Sequence, residues 1–214
     1  AEELVARVFG KGISSIGFFR GEWKKYYDTS LYIARSGWSK QGGFEIYVND
    51  FSLGEKLWDD FFEKGRDLNV GAGCPNLIER IESGLLSFGA DATYETTPFE
   101  CGLEQYVSLE AGIESLSINA LRKQKPKTRL VGLVVNDKID LADRLVLDEK
   151  EVIGEITANT WSPRYSVYLA YARCDFNRIE VLKELNVKST SGLVKAKITY
   201  LPFNFAALGL SSQS

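Results

Sequence analysis

Histidine is absent from the 214-residue chain, and cysteine occurs only three times. Without imidazole, Ser-His-Asp and Cys-His relays, histidine-ligated zinc and imidazole acid–base catalysis are all excluded. The cysteines, Cys74, Cys101 and Cys174, are widely spaced and form no Cys-x-x-Cys pair. They predict neither a disulfide framework nor a thiolate metal site, and this usage favours a reducing, cytoplasmic location.

Positive charge is not in excess, because 26 Lys and Arg residues face 29 Asp and Glu residues, for a net charge of -3. With no basic surplus to neutralise phosphates or lipid head groups, we expect no nucleic-acid or membrane partner. The chain also lacks an apolar run of about 18 residues and a charged-then-apolar leader, so we expect no membrane span and no secretory signal. Methionine is absent, and the opening residues resemble the interior of a longer polypeptide.

Helices and strands are predicted to alternate in the first part of the chain, up to about residue 90. A helix is predicted over residues 2–9, and another follows Ser52, whose spacing to Glu55 fits a capping box. A further helix is expected to begin at Cys74-Pro75. Strands are predicted at residues 16–20, 30–35 and 43–48. The glycine-rich turn at 37–43 should join the last two strands as a hairpin, and the layer as a whole is expected to be ferredoxin-like.

The pattern changes after Pro98 to short strands separated by turn signals. They are predicted at residues 128–136, 151–159, 164–174 and 193–201. A small antiparallel barrel or sandwich is the natural closure, because open strand edges would invite aggregation. We expect an α+β fold, with a ferredoxin-like domain and connecting segment over 1–122 and a C-terminal β-barrel domain over 123–214.

The hairpin carries the residues best suited to binding. Glu45 and Tyr47 alternate with apolar neighbours, so both should lie on the face opposite the core, and Trp38 lies in the turn. If that face lines a cavity, the Glu45 carboxylate can accept two parallel hydrogen bonds from a planar N–H/NH2 edge, beside aromatic surfaces suited to a flat heterocycle or an organic cation. The alternative is a solvated face of an edge hairpin.

Three segments resemble the glycine-cleavage T-protein family of folate-dependent aminomethyltransferases. They are RSGWSKQGGFEIY at 35–47, PFECGLEQYVSLEAG at 98–112 and VIGEITANTWSP at 152–163. The resemblance implies tetrahydrofolate as cofactor, with Glu45 contacting the pteridine edge and Trp38 packing beside it. It also implies that the chain is the C-terminal portion of the family's fold, so its partners would be the N-terminal half or a second copy.

Within this family, residues 33–43 and 73–82 are similar to the members that demethylate dimethylsulfoniopropionate. Glu104-Gln105-Tyr106 stands after Cys-Gly-Leu, where an aminomethyltransferase would have Gly-Ala-Arg-Asp. The resemblance therefore implies methyl transfer from a small sulfonium compound to tetrahydrofolate, with Tyr47 near the sulfonium. It assigns no catalytic residue and no metal ligand. Two alternatives stay open: an aminomethyltransferase of glycine cleavage, and a folate-binding module without turnover.

Five further residues are interpreted as structural. Trp161 and Tyr165 are predicted to be core aromatics, because aromatic side chains dominate protein cores. Cys101 is predicted to be a small buried residue. Glu100 and Glu104 are predicted to be surface charges.

Overall fold

The structure is a computed structural model that describes residues 1–36, 42–73, 77–110, 112, 115–140 and 142–212. It divides the chain into two compact units, residues 1–75 and 76–214. The domain limits of 1–122 and 123–214 were drawn at a change in sequence character, and they stay a prediction.

The described residues of the first unit form three strands and two α-helices. In chain order these are α1 (Glu2–Phe9), β1 (Arg20–Tyr26), β2 (Thr29–Arg35), β3 (Glu45–Tyr47) and α2 (Leu53–Lys64). Helix α1 has two glutamates in its first turn, where their negative charge interacts favourably with the positive end of the helix dipole. The helix ends at Gly10, which has a φ of 91° that glycine adopts without strain. Helix α2 begins where predicted, but the capping-box interpretation is wrong. The Ser52 side chain caps no helix N–H, and its hydroxyl donates to Asp50 instead.

The three strands form an antiparallel sheet in the order β1-β2-β3. Alternate residues of β2, Leu31 and Ile33, are buried on one face. They join Val5 of α1 and Leu57 of α2 in two apolar clusters. Burial of each large apolar side chain contributes about 1.5–3 kcal/mol, and this stabilises the packing of the sheet against the helices. The predicted pairing of β2 with β3 is confirmed.

The first strand was misplaced by the sequence prediction. Residues 16–20 follow a short 3-10 helix (Lys11–Ser15) and contain a turn at Phe18 and Phe19, and the strand begins only at Arg20. Ile16 is buried in the core, whereas Phe18 and Phe19 are exposed, and Phe19 has a positive φ of 57°. The real strand is mostly charged and exposed, so it lacks the apolar alternation by which strands are recognised.

The second unit is built on a closed six-stranded antiparallel barrel in the order β4-β7-β6-β5-β8-β9. The strands are β4 (Thr128–Val135), β5 (Leu145–Asp148), β6 (Glu151–Ser162), β7 (Val167–Asp175), β8 (Glu184–Ser189) and β9 (Gly192–Thr199). The short helices are α3 (Leu77–Glu82), α4 (Ile118–Lys123) and α5 (Phe176–Ile179). The barrel and the α+β class are thereby confirmed. Strand β5 was missed because it has four residues, and β8 was missed because only two of its six residues, Leu185 and Val187, are apolar.

Strand β4 is buried on both faces, which explains its unbroken apolar run. Val131, Leu133 and Val135 point into the barrel core. Leu130 and Val134 belong to a second cluster outside the barrel, which includes Ile81 of α3, Tyr171 and Phe203. A strand covered on both sides reads as continuous apolar sequence rather than as an alternation. Among the described residues, no helix is long and apolar enough to cross a membrane.

Candidate functional site

The face of the three-stranded sheet that points away from α1 and α2 carries the predicted binding residues. Residues that pair directly across antiparallel strands share a face. Tyr32 pairs with Trp23 on β1 and with Tyr47 on β3, and Ala34 pairs with Glu45. These five residues therefore lie together on one side of the sheet, which we call the open face.

Glu45 and Tyr47 are neighbours on the open face, as the alternation predicted. Both side chains are exposed, and the Tyr47 hydroxyl donates a hydrogen bond of 3.0 Å to Oε2 of Glu45. This hydrogen bond to the carboxylate is the main cause that raises the pKa of Tyr47 above its ordinary value. The hydroxyl orients the carboxylate, and each carboxylate oxygen keeps a lone pair that can accept a hydrogen bond from a ligand.

Three aromatic rings form a row across the open face. The ring centroids of Trp23 and Tyr32 lie 5.4 Å apart, and those of Tyr32 and Tyr47 lie 5.9 Å apart. Trp23 is 59% exposed and Tyr47 is 50% exposed. Aromatic faces are large apolar surfaces with a negative quadrupole, so the row is chemically suited to a flat ring or an organic cation.

Trp23 and Tyr32 were missed by the sequence reasoning. A signal was present, because a tight turn at Tyr27 and Asp28 sets the register in which Trp23 opposes Tyr32. Reading that register required β1 to be placed at 20–26 rather than at 16–20. Trp38, the third predicted binding residue, lies outside the described residues.

The structural interpretation of five other residues is partly confirmed. Cys101 is buried, and Tyr165 is half-buried with its ring stacked on Phe205 at 3.7 Å between centroids. Trp161 is 40% exposed and contacts Tyr168, so it is not a full core residue. Glu104 forms an ion pair of 2.7 Å with Arg129.

The prediction of a surface charge is wrong for Glu100. Its side chain is buried and accepts hydrogen bonds from backbone N–H groups of Thr97, Lys127 and Thr128. Burial alone would raise the pKa of Glu100, but these hydrogen bonds outweigh it and hold the pKa below the ordinary value. Glu100 thus fastens the loop before the barrel to the start of β4, and its role is structural.

The most deeply buried charge in the second unit is Asp91. It pairs with Arg80 of α3, accepts a hydrogen bond of 2.6 Å from the Thr157 hydroxyl and accepts the backbone N–H of Ser87. Both carboxylate oxygens are used, so this group anchors a loop rather than offering a ligand site. Within the described residues, no group of three or more His, Cys, Asp or Glu side chains could hold a metal ion.

Two protein families match the chain. Residues 1–111 match the GCVT N-terminal domain, and residues 128–204 match the glycine cleavage T-protein C-terminal barrel domain. The aminomethyltransferase T of the glycine cleavage system from Bartonella henselae has a similar solved structure, with a TM-score of 0.72 at 21% identity, over 94% of this chain and 56% of that one. At that identity the structural likeness supports the fold.

Curated relatives match over most of the chain. A dimethylsulfoniopropionate demethylase, DmdA, from Ruegeria pomeroyi is 44% identical over 179 residues, which are 82% of this chain and 49% of the relative. An aminomethyltransferase from Oceanobacillus iheyensis is 30% identical over 95% of this chain and 57% of its own length. One from Acidobacterium capsulatum is 28% identical over 95% and 56%. The chain spans about half the length of these relatives.

Proposed function

The chain belongs to the glycine cleavage T-protein family, and on that premise we propose that it takes part in tetrahydrofolate-dependent transfer of a methyl group from a sulfonium compound. Dimethylsulfoniopropionate is the proposed methyl donor. Family membership itself confirms the resemblance drawn from the hairpin and barrel segments. The activity, the substrates and the partners are the proposal.

The observation that carries the proposal is the position of Glu45 beside aromatic rings on the open face. A carboxylate can accept two parallel hydrogen bonds from the adjacent N–H and NH2 groups of a reduced pteridine. Glu45 is exposed, and its carboxylate is oriented by the Tyr47 hydroxyl. We therefore assign Glu45 to the pteridine edge. From the family resemblance we propose that Trp38 packs beside the pteridine and that Tyr47 lies close to the sulfonium.

Methyl transfer from a sulfonium does not require the protein to protonate the leaving group. The methyl carbon is already electrophilic, and the C–S electron pair leaves on a neutral thioether. Tetrahydrofolate, when bound, would supply the ring N–H nitrogen that accepts the methyl group, and the proton of that nitrogen would leave to solvent. The chain has no histidine, and we propose that its residues act by alignment, which is worth several orders of magnitude in rate when two reactants are held in line.

Aromatic side chains suit the methyl donor as well as the cofactor. A sulfonium is an organic cation that an aromatic face attracts, and such a contact contributes about 0.5–2 kcal/mol, most where the cation is shielded from water. The positive charge moves off sulfur during transfer. The rings must therefore bind the methyl donor without stabilising the ground state more than they stabilise the transition state. Tyr47 carries this role in the proposal.

Choice of the methyl donor rests on the degree of similarity. The relative named as a dimethylsulfoniopropionate demethylase is more similar in sequence than the aminomethyltransferases described above. The aminomethyltransferases, however, match over a larger share of this chain. Aminomethyl transfer in glycine cleavage is therefore the second candidate function, and folate binding without turnover is the third.

The open face also bears on the partner. A ligand on a flat exposed sheet is only half enclosed, whereas small-molecule sites normally bury most of the ligand surface. We propose that the region of the relatives that this chain does not match, or a second copy of the chain, covers the open face. Cys101 and Cys174 are free thiols in the structure, and we place the activity in the reducing cytoplasm.

Product analysis tests the proposal. The protein is incubated with tetrahydrofolate and dimethylsulfoniopropionate, and in parallel with tetrahydrofolate and an aminomethyl donor. Methyltetrahydrofolate and a thioether acid in the first reaction support the proposal. Ammonia and methylenetetrahydrofolate in the second support the aminomethyltransferase. Tetrahydrofolate binding without either product identifies a binding module, and an absence of binding overturns all three.

A further inference from the structure

A row of small residues lies beside the aromatic row on the open face and ends at Glu45. Gly21 of β1 pairs with Ala34 of β2, and Ala34 pairs with Glu45 of β3. Neighbouring strands are about 4.8 Å apart, so the backbones of Gly21 and Glu45 are separated by about 10 Å. Ala34 forms the floor between them.

The ring of Tyr32 lies across Gly21. A Cβ atom built on Gly21 would stand 2.5 Å from the Tyr32 hydroxyl oxygen, 2.6 Å from Cζ and 2.7 Å from Cε1. Any side chain larger than hydrogen at this position would therefore displace the ring. Because Gly21 has no side chain, the Tyr32 hydroxyl reaches the far end of the small-residue row, opposite Glu45.

The Tyr32 hydroxyl is available to a ligand in this position. Tyr32 is half-buried, and within the described part of the chain its hydroxyl has no hydrogen-bond partner. A hydroxyl can donate one hydrogen bond and accept two. Tyr32 is half-buried and, among the described residues, unpaired on the same face as the Glu45 carboxylate. A ligand that forms a hydrogen bond with the Tyr32 hydroxyl therefore gains binding free energy.

We propose that Tyr32 is a specificity-determining residue of the tetrahydrofolate site, contacting the pteridine ring on the side opposite the edge bound by Glu45. The inference rests on the proposed function and extends it. Ala34 leaves space for the flat ring between the two polar groups, and Gly21 leaves space for the Tyr32 ring. Glu45 and Tyr32 together define which flat heterocycle fits.

Two ligands are used as probes to decide whether Tyr32 contacts the pteridine ring or the rest of tetrahydrofolate. Calorimetric titrations use tetrahydrofolate and tetrahydropterin, which has the bicyclic ring without the aminobenzoyl-glutamate tail. Loss of one hydrogen bond weakens binding by about twofold to tenfold. Tyr32→Phe is expected to weaken both probes by the same factor in that range, with an unchanged melting temperature.

The Gly21→Ala variant tests whether the glycine acts through Tyr32. It is expected to weaken both probes at least as much as Tyr32→Phe, because the added methyl displaces the whole ring. In a Tyr32→Ala background the same methyl meets no ring, so no further loss is expected. Gly54→Ala is the matched control, since a Cβ at Gly54 on α2 meets nothing within 4 Å, and it should leave both affinities unchanged.

The outcomes distinguish this inference from the proposed function. If Tyr32→Phe leaves both affinities unchanged while Glu45→Gln weakens them, the Tyr32 assignment is wrong and the carboxylate assignment stands. A loss confined to tetrahydrofolate places Tyr32 on the tail and also overturns the ring contact. If Glu45→Gln has no effect, or the unaltered protein binds neither probe, the proposed function itself fails.

Discussion

The hydroxyl of Tyr47 donates a 3.0 Å hydrogen bond to the carboxylate of Glu45, two residues earlier on the same strand. Residues two apart on a strand share a face, so this contact is built into β3 itself. It holds the carboxylate in place and leaves a lone pair on each oxygen for a ligand. The behaviour of this pair gives the most direct tests of the open face as a binding site.

Glu45→Gln is expected to weaken tetrahydrofolate binding. An amide cannot accept two parallel N–H donors, and leaving a donor without its charged partner costs about 1–3 kcal/mol, or roughly fivefold to a hundredfold in affinity. Isothermal titration calorimetry measures the change. Glu55→Gln, an exposed glutamate on α2, is the control and should bind as the unaltered protein does. Equal affinity of the two variants would remove Glu45 from the site.

The titration of Tyr47 should depend on Glu45. The hydrogen bond to the carboxylate raises the pKa of Tyr47, so its stabilising contribution is present at neutral pH and is lost as the pH rises through the raised pKa. Alkaline difference spectra of the unaltered protein against Tyr47→Phe isolate this tyrosinate. Glu45→Gln should shift its midpoint to lower pH. A midpoint that does not move would show that the hydrogen bond is absent in solution.

Glu100 should make the second unit sensitive to acid. Its pKa is below the ordinary value because backbone N–H groups outweigh its burial, so its contribution is present above the unfolded pKa and is lost as the pH falls through the lowered one. Glu100→Gln should reduce the free energy of unfolding at neutral pH and should flatten its fall in acid. Urea unfolding over a pH series measures both effects. Exposed Glu95→Gln should change neither.

Asp91→Asn should destabilise the barrel unit strongly. The substitution leaves Arg80 buried without its countercharge, and breaking a buried ion pair from one side costs about 3–5 kcal/mol. Amide hydrogen exchange of β6 and β7 reports the loss in this unit alone. The exposed pair of Lys195 and Glu184 provides the control, since Glu184→Gln should cost at most about 1 kcal/mol. Similar losses for both variants would contradict the anchoring role of Asp91.

Much of the barrel could be predicted from local pattern. Strands β4, β6, β7 and β9 contain apolar or β-branched runs bounded by turn residues, and those runs report burial directly. Strands β5 and β8 were not predicted, because β5 has only four residues and β8 has only two apolar residues among six. The pairing of these strands with their neighbours closes the barrel. It joins residues that are far apart in the sequence, so a short stretch of sequence does not contain it.

The candidate site was likewise predicted from the sequence only in part. Alternation along β3 was enough to place Glu45 and Tyr47 on one face, because the side-chain period of a strand is two residues. Trp23 was missed because its strand, β1, is mostly charged and exposed. Tyr32 on β2 was missed because ring neighbours on adjacent strands follow from register rather than from composition.

The amino-acid sequence by itself determined the composition limits, the family and the alternation that turns Glu45 out of the core, since these depend on residue type and on spacing along one strand. Only the tertiary structure decided that Tyr32 lies across Gly21, that three rings form a row and that Glu100 is buried. Those relationships depend on the register between neighbouring strands and on the packing of loops. The physical reason is that local spacing sets the direction of a side chain, whereas its neighbours are set by strand pairing and packing.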